Sequence, residues 1–240
     1  MKKKQVVLGV GAHPDDMDFT ASGTIAKMVE EEWEAYYLVC TDGSRGSRDH
    51  KISHQELAKT RRREQEKAGK IIGLKDIFFL NHCDTQLMCD PSLKEEIVRV
   101  IRIVKPTVVI TMDPTFHFSS ISPWNKNTSF INHTDHRAAG LATMDAVFPL
   151  ARDLLSFPEH QKEGLKPHKV DELWLTSFEQ KEHVVDITKT FEKKIKALAA
   201  HKSQFDDFPK VKKEVASHAV HFAKEEEFEF AESFIRLILD

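Results

Sequence analysis

Short apolar, β-branched runs alternate along this chain with longer stretches whose apolar residues recur at helical spacing. Strands that are apolar throughout need cover on both faces. The alternation therefore reads as repeated βα units: an α/β, Rossmann-like three-layer fold with a mainly parallel sheet and helices on both faces. Strands are predicted at residues 6–10, 35–41, 77–80, 107–111, 173–178 and 183–187, and helices at 21–33, 54–72, 92–104, 135–155 and 190–201. Pro91 and Pro106 punctuate the ends of the third helix. Residues 113–132 show no sustained period and are rich in Pro, Ser, Asn and aromatic side chains, which predicts a long loop. Beyond residue 201 the sequence is mixed and highly charged. With 240 residues and neither an internal repeat nor a low-complexity linker, one domain over residues 1–240 is expected.

Composition narrows the partners. A net charge of −3 gives no global field for nucleic acid or acidic membranes, and the Arg61-Arg62-Arg63 run shares its helix with Glu56, Glu64 and Glu66, the pattern of a solvated face. No window is apolar for long enough to span a membrane. Cys40, Cys83 and Cys89 are odd in number and lack CxxC spacing, so neither a disulfide framework nor a cysteine zinc site is expected, and a reducing, cytoplasmic setting follows. The expected partner is a small molecule; homo-oligomerisation is left open.

His13-Pro14-Asp15-Asp16 stands just past the first strand, at the carboxyl edge of the sheet, where α/β folds place ligands. A His and a carboxylate three residues apart can converge on one cation across a turn, so His13 and Asp16 read as metal ligands. Asp15, facing another way, would stand near a metal-activated water as general base. The competing reading is a turn in which one of the two acids caps the next helix. Gly9-Val10-Gly11 also suggests a dinucleotide fingerprint, but its third glycine position is Pro14.

A second group, His133-Thr134-Asp135-His136, follows the long loop at the start of a helix. His136 would complete a three-ligand set with a coordination position left open. His133 would then donate to a developing oxyanion, and Asp135 would orient an imidazole. Here the competing reading is an N-cap Asp135 beside two half-exposed histidines.

Taken together, HPDD after a glycine-flanked first strand and H-x-D-H before a later helix resemble the paired motifs of the PIG-L, or LmbE-like, zinc-dependent N-deacetylases. Further points of resemblance are Gly23-Thr24, Thr41-Asp42-Gly43, Arg61, Glu64, Ala68, Gly73 and Asp84. Towards the end they include Lys196, His201-Lys202-Ser203-Gln204, Ala231-Glu232 and Phe234. Departures are Asp18 where many members carry Glu, Thr134 for a proline, and Ser44 for an acid. The resemblance implies zinc, with Fe²⁺, Co²⁺ and Mn²⁺ also suited to a His/Asp set, and Arg61 and Asp84 as substrate contacts; for Arg61 the competing reading is an ordinary helix-surface arginine. It implies removal of acetyl from an N-acetylglucosamine-type amino sugar. Rival readings are an amidase for a larger amide such as a thiol conjugate, a silent carbohydrate-binding protein, and a nucleotide-binding regulator. Phe116, Phe118, Trp124 and Phe130 make the 113–132 loop a candidate movable wall over the substrate, against a surface insertion or subunit contact.

Overall fold

The computed structural model describes residues 4–47, 49–120, 122, 127–176, 178, 180 and 182–240. The chain opens with strand β1 (Val6–Gly11), the short helix α1 (Asp16–Thr20), α2 (Ser22–Glu30), β2 (Glu34–Thr41), α3 (His54–Ile72), β3 (Asp76–His82), α4 (Pro91–Val104) and β4 (Val108–Met112). A small hairpin, β5 (Phe118–Ser119) with β6 (Phe130–Ile131), leads to α5 (Thr134–Asp145) and, past an irregular stretch, the single turn α6 (Glu159–Lys162). β7 (Glu172–Thr176), β8 (His183–Asp186), α7 (Phe191–Leu198), α8 (Phe208–Ala223) and β9 (Ala231–Ile238) complete it.

Seven strands form one sheet in the order β3-β2-β1-β4-β7-β9-β8. β1 to β4 and β7 pair in parallel, as the βα alternation predicts, and β9 runs antiparallel to both β7 and β8. The period of two sorts the strand residues onto two cores. Leu8, Val10, Leu38 and Val109 pack with Leu93, Ile97 and Ile101 of α4 and with Ala139 and Ala142 of α5. Val7, Tyr37, Val108 and Ile110 pack on the other side with Ile25 of α2, Ile72 of α3 and Ala197 of α7. Local signals fix the helix ends. Ser53 and Glu56 close a capping box on α3, and Asp90 accepts from Leu93 N at 2.9 Å to start α4, with Pro91 in the first turn.

Four predicted elements change. The 21–33 helix shortens to α2, with the short α1 an additional helix ahead of it, and the 135–155 helix ends at Asp145, because Phe148 is extended and Pro149 has no N–H to donate. Buried Arg102 organises the irregular stretch after α5, donating to the carbonyls of Leu150, Ala151, Asp153 and Ser156. The 113–132 loop contains the β5–β6 hairpin. The charged stretch after residue 201 hides α8 and the interior strand β9. Its Glu232 is buried because Gly23 N, Thr24 N and Lys194 Nζ all donate to it.

One close approach positions the second motif. A Cβ on Gly140 would stand 2.3 Å from Met112 O, so α5 lies directly on the end of β4 only because that residue is glycine. His136 is one turn earlier on the same helix.

Candidate metal centre and active site

The carboxyl ends of the parallel strands bring the two histidine motifs together. Past β1 the chain turns through His13–Asp16, and Asp16 accepts from His13 N at 2.8 Å, which fixes its carboxylate at the turn. That carboxylate reaches both imidazoles expected to share a cation with it: Oδ1 is 3.2 Å from His136 Nε2, and Oδ2 is 3.5 Å from His13 Nδ1. The rings of His13, His133 and His136 stand 4.7, 5.2 and 5.3 Å apart between centroids.

Metal-ligand donor atoms converge in two overlapping groups, one of His13, His133 and His136 and one of His13, Asp84, His133 and Asp135, each within 4.8 Å. Asp84 and Asp135 both lie 3.2 Å from His13 Nε2. Asp15, Asp16, Asp84 and Asp135 are all at most 9% exposed, and Arg61 supplies one fixed positive charge among them. Four buried carboxylates around three imidazoles fit a divalent cation, which would balance that negative excess.

The protonation states follow from these neighbours. Burial works against charging His13, but hydrogen bonds to Asp135, Asp16 and Asp84 outweigh it and hold the imidazole well above its ordinary pKa. Burial likewise opposes ionisation of Asp16, and His136 and His13 overcome it, so the carboxyl falls well below the usual range. Asp84 is brought down to about 2 against its own burial by His13 and the Arg45 N–H. Asp15 goes the other way: burial pushes it up, and Arg61 only partly opposes the rise. Burial, with His13 and His136 nearby, lowers His133 and keeps it neutral.

Two tautomers can be inferred from the hydrogen bonds. Nδ1 of His133 accepts from Asp135 N at 3.1 Å, so the proton of the neutral ring is on Nε2, a free donor edge. Nδ1 of His136 meets Asn132 Oδ1 at 3.0 Å and carries a proton there, so Nε2, 3.2 Å from Asp16 Oδ1, is the edge the ring can turn to a cation.

Neither capping alternative describes these motifs. Asp15 occupies the N-cap of α1 yet makes no side-chain cap, and His133, not Asp135, caps α5. Asp135 is fully buried, accepting from Thr85 N and Leu87 N while it faces His13, so the imidazole it orients belongs to the first motif. Arg61 is not a surface arginine: it is 4% exposed and donates to Asp15 Oδ2, Pro14 O and Gly43 O. Asp84, expected as a substrate contact, faces His13 inside the donor cluster.

Asp15 has φ +98°, a left-handed backbone that is unusual for a residue other than glycine and is strained by roughly 1–3 kcal/mol. Sequence reasoning missed Gln65 and Asn132 altogether, and gave no role to Asp18 and His201. The one available signal for Gln65 was its place four residues after Arg61, on the same face of α3.

A cavity of about 340 Å³ opens against Asp15, Asp16 and His136 and is lined further by Phe19, Met112, Phe130, Phe178, Val215 and the acidic Glu214. Phe116, Phe130 and Phe178 pack on one another with centroids 5.9 to 6.1 Å apart, while Phe118 is 72% exposed. Trp124 lies outside the described residues.

Comparisons with known proteins find both sequence and structural relatives. The PIG-L family, described as GlcNAc-PI de-N-acetylase, matches residues 8–147. A diacetylchitobiose deacetylase of Thermococcus kodakarensis is 32% identical over 205 residues, covering 84% of this chain and 70% of that protein. The mycothiol S-conjugate amidase of Streptomyces coelicolor is 26% identical, covering 83% and 82%. Among solved structures, the N,N'-diacetylchitobiose deacetylase from Pyrococcus horikoshii in complex with its inhibitor MPG superposes with a TM-score of 0.88 at 28% identity, over 99% of this chain and 85% of that one.

Proposed function

The chain belongs to the PIG-L family, and from that premise we propose that it hydrolyses the acetamide of an N-acetylglucosamine-type amino sugar or conjugate, releasing acetate and a free amine. The observation that carries the reading is Asp16, whose carboxylate reaches His13 and His136 while its neighbour Asp15 stays out of that contact and pairs with Arg61. Two adjacent acids thereby have separate tasks, ligation for one and proton transfer for the other.

His13, Asp16 and His136 would hold a divalent cation. We assign it as Zn²⁺, on a His/Asp set that also suits Fe²⁺, Co²⁺ or Mn²⁺. Such a cation supplies Lewis acidity towards the amide carbonyl and lowers the pKa of water towards about 7. Asp15, raised by burial and therefore more basic than an ordinary carboxylate, takes the proton of the attacking water. His133 presents its Nε2–H to the carbonyl oxygen as that oxygen gains charge. Asp15 then returns its proton to the departing nitrogen. Asp135 and Asn132 act on the histidines, fixing ring orientation and tautomer. We keep the assignment of Arg61 and Asp84 as substrate contacts beside their bonds to Asp15 and His13.

No helix among the described residues is long and apolar enough to cross a membrane. We place the protein in the cytoplasm as one domain acting on a small soluble sugar, a setting that suits its three free cysteines. The deciding experiment is mass spectrometry of products from a panel of N-acetylglucosamine derivatives, run with metal-loaded and chelator-treated protein. Loss of 42 Da, about the mass of one acetyl replaced by hydrogen, from at least one sugar in the loaded sample alone is the expected result. Cleavage only of a thiol-conjugate amide would favour the amidase reading instead.

A further inference from the structure

The peptide unit joining Pro14 to Asp15 is gripped at both ends by one helix. Arg61 Nη2 donates to Pro14 O at 2.6 Å, and Asp15 N donates to Gln65 Oε1 at 2.8 Å. Arg61 and Gln65 are four residues apart on α3, so they project from the same face, and the C=O and N–H they hold belong to a single rigid plane. Turning that plane over would change ψ of Pro14 and φ of Asp15 together and let Asp15 leave its left-handed conformation. Both hydrogen bonds would have to break for this to happen.

Gln65 has no freedom to let go. It is 1% exposed, and its other end, Nε2, donates to Asp18 Oδ2 at 2.9 Å, which also fixes which way round the amide sits. Asp18 is itself fully buried and held by His201 Nε2 at 2.8 Å and Tyr37 OH at 3.4 Å. The series Asp15, Gln65, Asp18, His201 thus ties the HPDD turn to α3, to α1 and to the end of α7.

We propose that Gln65 is a positioning residue for the general base: with Arg61 it clamps the Pro14–Asp15 peptide and keeps the Asp15 carboxylate aimed at the reaction site, while Asp18 and His201 keep Gln65 in register. This rests on the proposed role of Asp15 as general base. It also gives two residues noted in the sequence, Asp18 and His201, a common task.

The test is Gln65→Met, which keeps the length and helix preference of the side chain and removes both polar contacts. Metal content, kcat and KM on the best amino-sugar substrate, and hydrogen–deuterium exchange of the 12–20 segment are measured side by side. The expected result is wild-type metal content, KM within about twofold, kcat lower by about 10²-fold as for a misplaced catalytic group, and faster exchange in the turn. Gln65→Ala carries the same measurements if Gln65→Met does not fold. Unchanged exchange, or faster exchange with full kcat, overturns the proposal, as does a fall in kcat that tracks loss of metal. If wild-type protein deacetylates no sugar, the functional reading fails, and the exchange comparison still decides whether the clamp exists.

Discussion

Arg61 reaches from the middle of α3 to within 3.1 Å of the Asp15 carboxylate, and both side chains are buried. Arg61 is the strongest influence holding down a carboxyl that burial raises. Arg61→Met should therefore raise the Asp15 pKa further, and since a general base works deprotonated, the acid limb of kcat/KM should move to higher pH. Leaving a buried acid without its partner should also cost about 3–5 kcal/mol of stability. Titration of activity and urea unfolding check the two effects; an unmoved acid limb would detach Asp15 from the proton transfer.

Asp15→Asn should keep its metal and its fold, because Asp16, not Asp15, reaches His13 and His136. Turnover should fall by about 10²-fold or more. Elemental analysis beside steady-state kinetics tests this, and loss of metal would make Asp15 a ligand.

The geometry offers His133 as well as His136 to a cation, and the two alanine variants separate them. His136→Ala should lose metal with its circular dichroism intact. His133→Ala should keep metal and lose kcat, because its Nδ1 already serves the backbone and only its Nε2 edge is available to the reaction. Reversed metal contents would move the site onto His13, Asp84, His133 and Asp135.

Gly140→Ala should drive α5 off Met112 O and carry His136 with it. Overpacking of this kind typically costs about 1–3 kcal/mol. The specific expectation is weaker metal retention during dialysis against a chelator than any exposed α5 substitution gives.

His218 supplies a pH effect outside the donor cluster. It lies on α8, against Phe222 and with Nε2 3.3 Å from Phe178 O, and burial lowers its pKa to about 4. The unfolded chain, with an ordinary value near 6.5, takes up a proton that the fold refuses, so stability falls as pH drops from about 6.5 to about 4. The shift corresponds to roughly 3 kcal/mol at most. His218→Gln should therefore lose less stability than wild type between pH 7.5 and 4.5, read by denaturant midpoints; equal losses would remove His218 as a cause.

What could be read from the sequence was whatever local pattern encodes. Val6–Gly11 and Val108–Met112 are apolar on both faces because helices cover both, and that pattern alone identifies parallel strands. HPDD and HTDH declare donor chemistry by residue type and spacing. The interior strand β9 was hidden because its Glu232 and Arg236 look like surface residues; their partners, Lys194 and Glu172, come from elsewhere in the chain. Gln65 was equally invisible, since a glutamine in a charged helix has no pattern, and only the approach of Pro14–Asp15 from 50 residues away gives it work.

The placement of β9 between β7 and β8 also orders assembly in time. All four register partners of β8 are on β9, so a growing chain can make β8 and still have nowhere in the sheet to put it. Every donor in the metal cluster, from His13 to His136, has by then been synthesised together with β1 to β4 and α5. The cavity wall on α8 and the His201 end of the Gln65 series come afterwards. Closing the far side of the sheet is thus a late, long-range step, slower in kind than the local βα pairings before it. A chain halted in that interval would hold a formed ion-binding cluster beside the open edge of β7, where a strand from another molecule could add in place of β9.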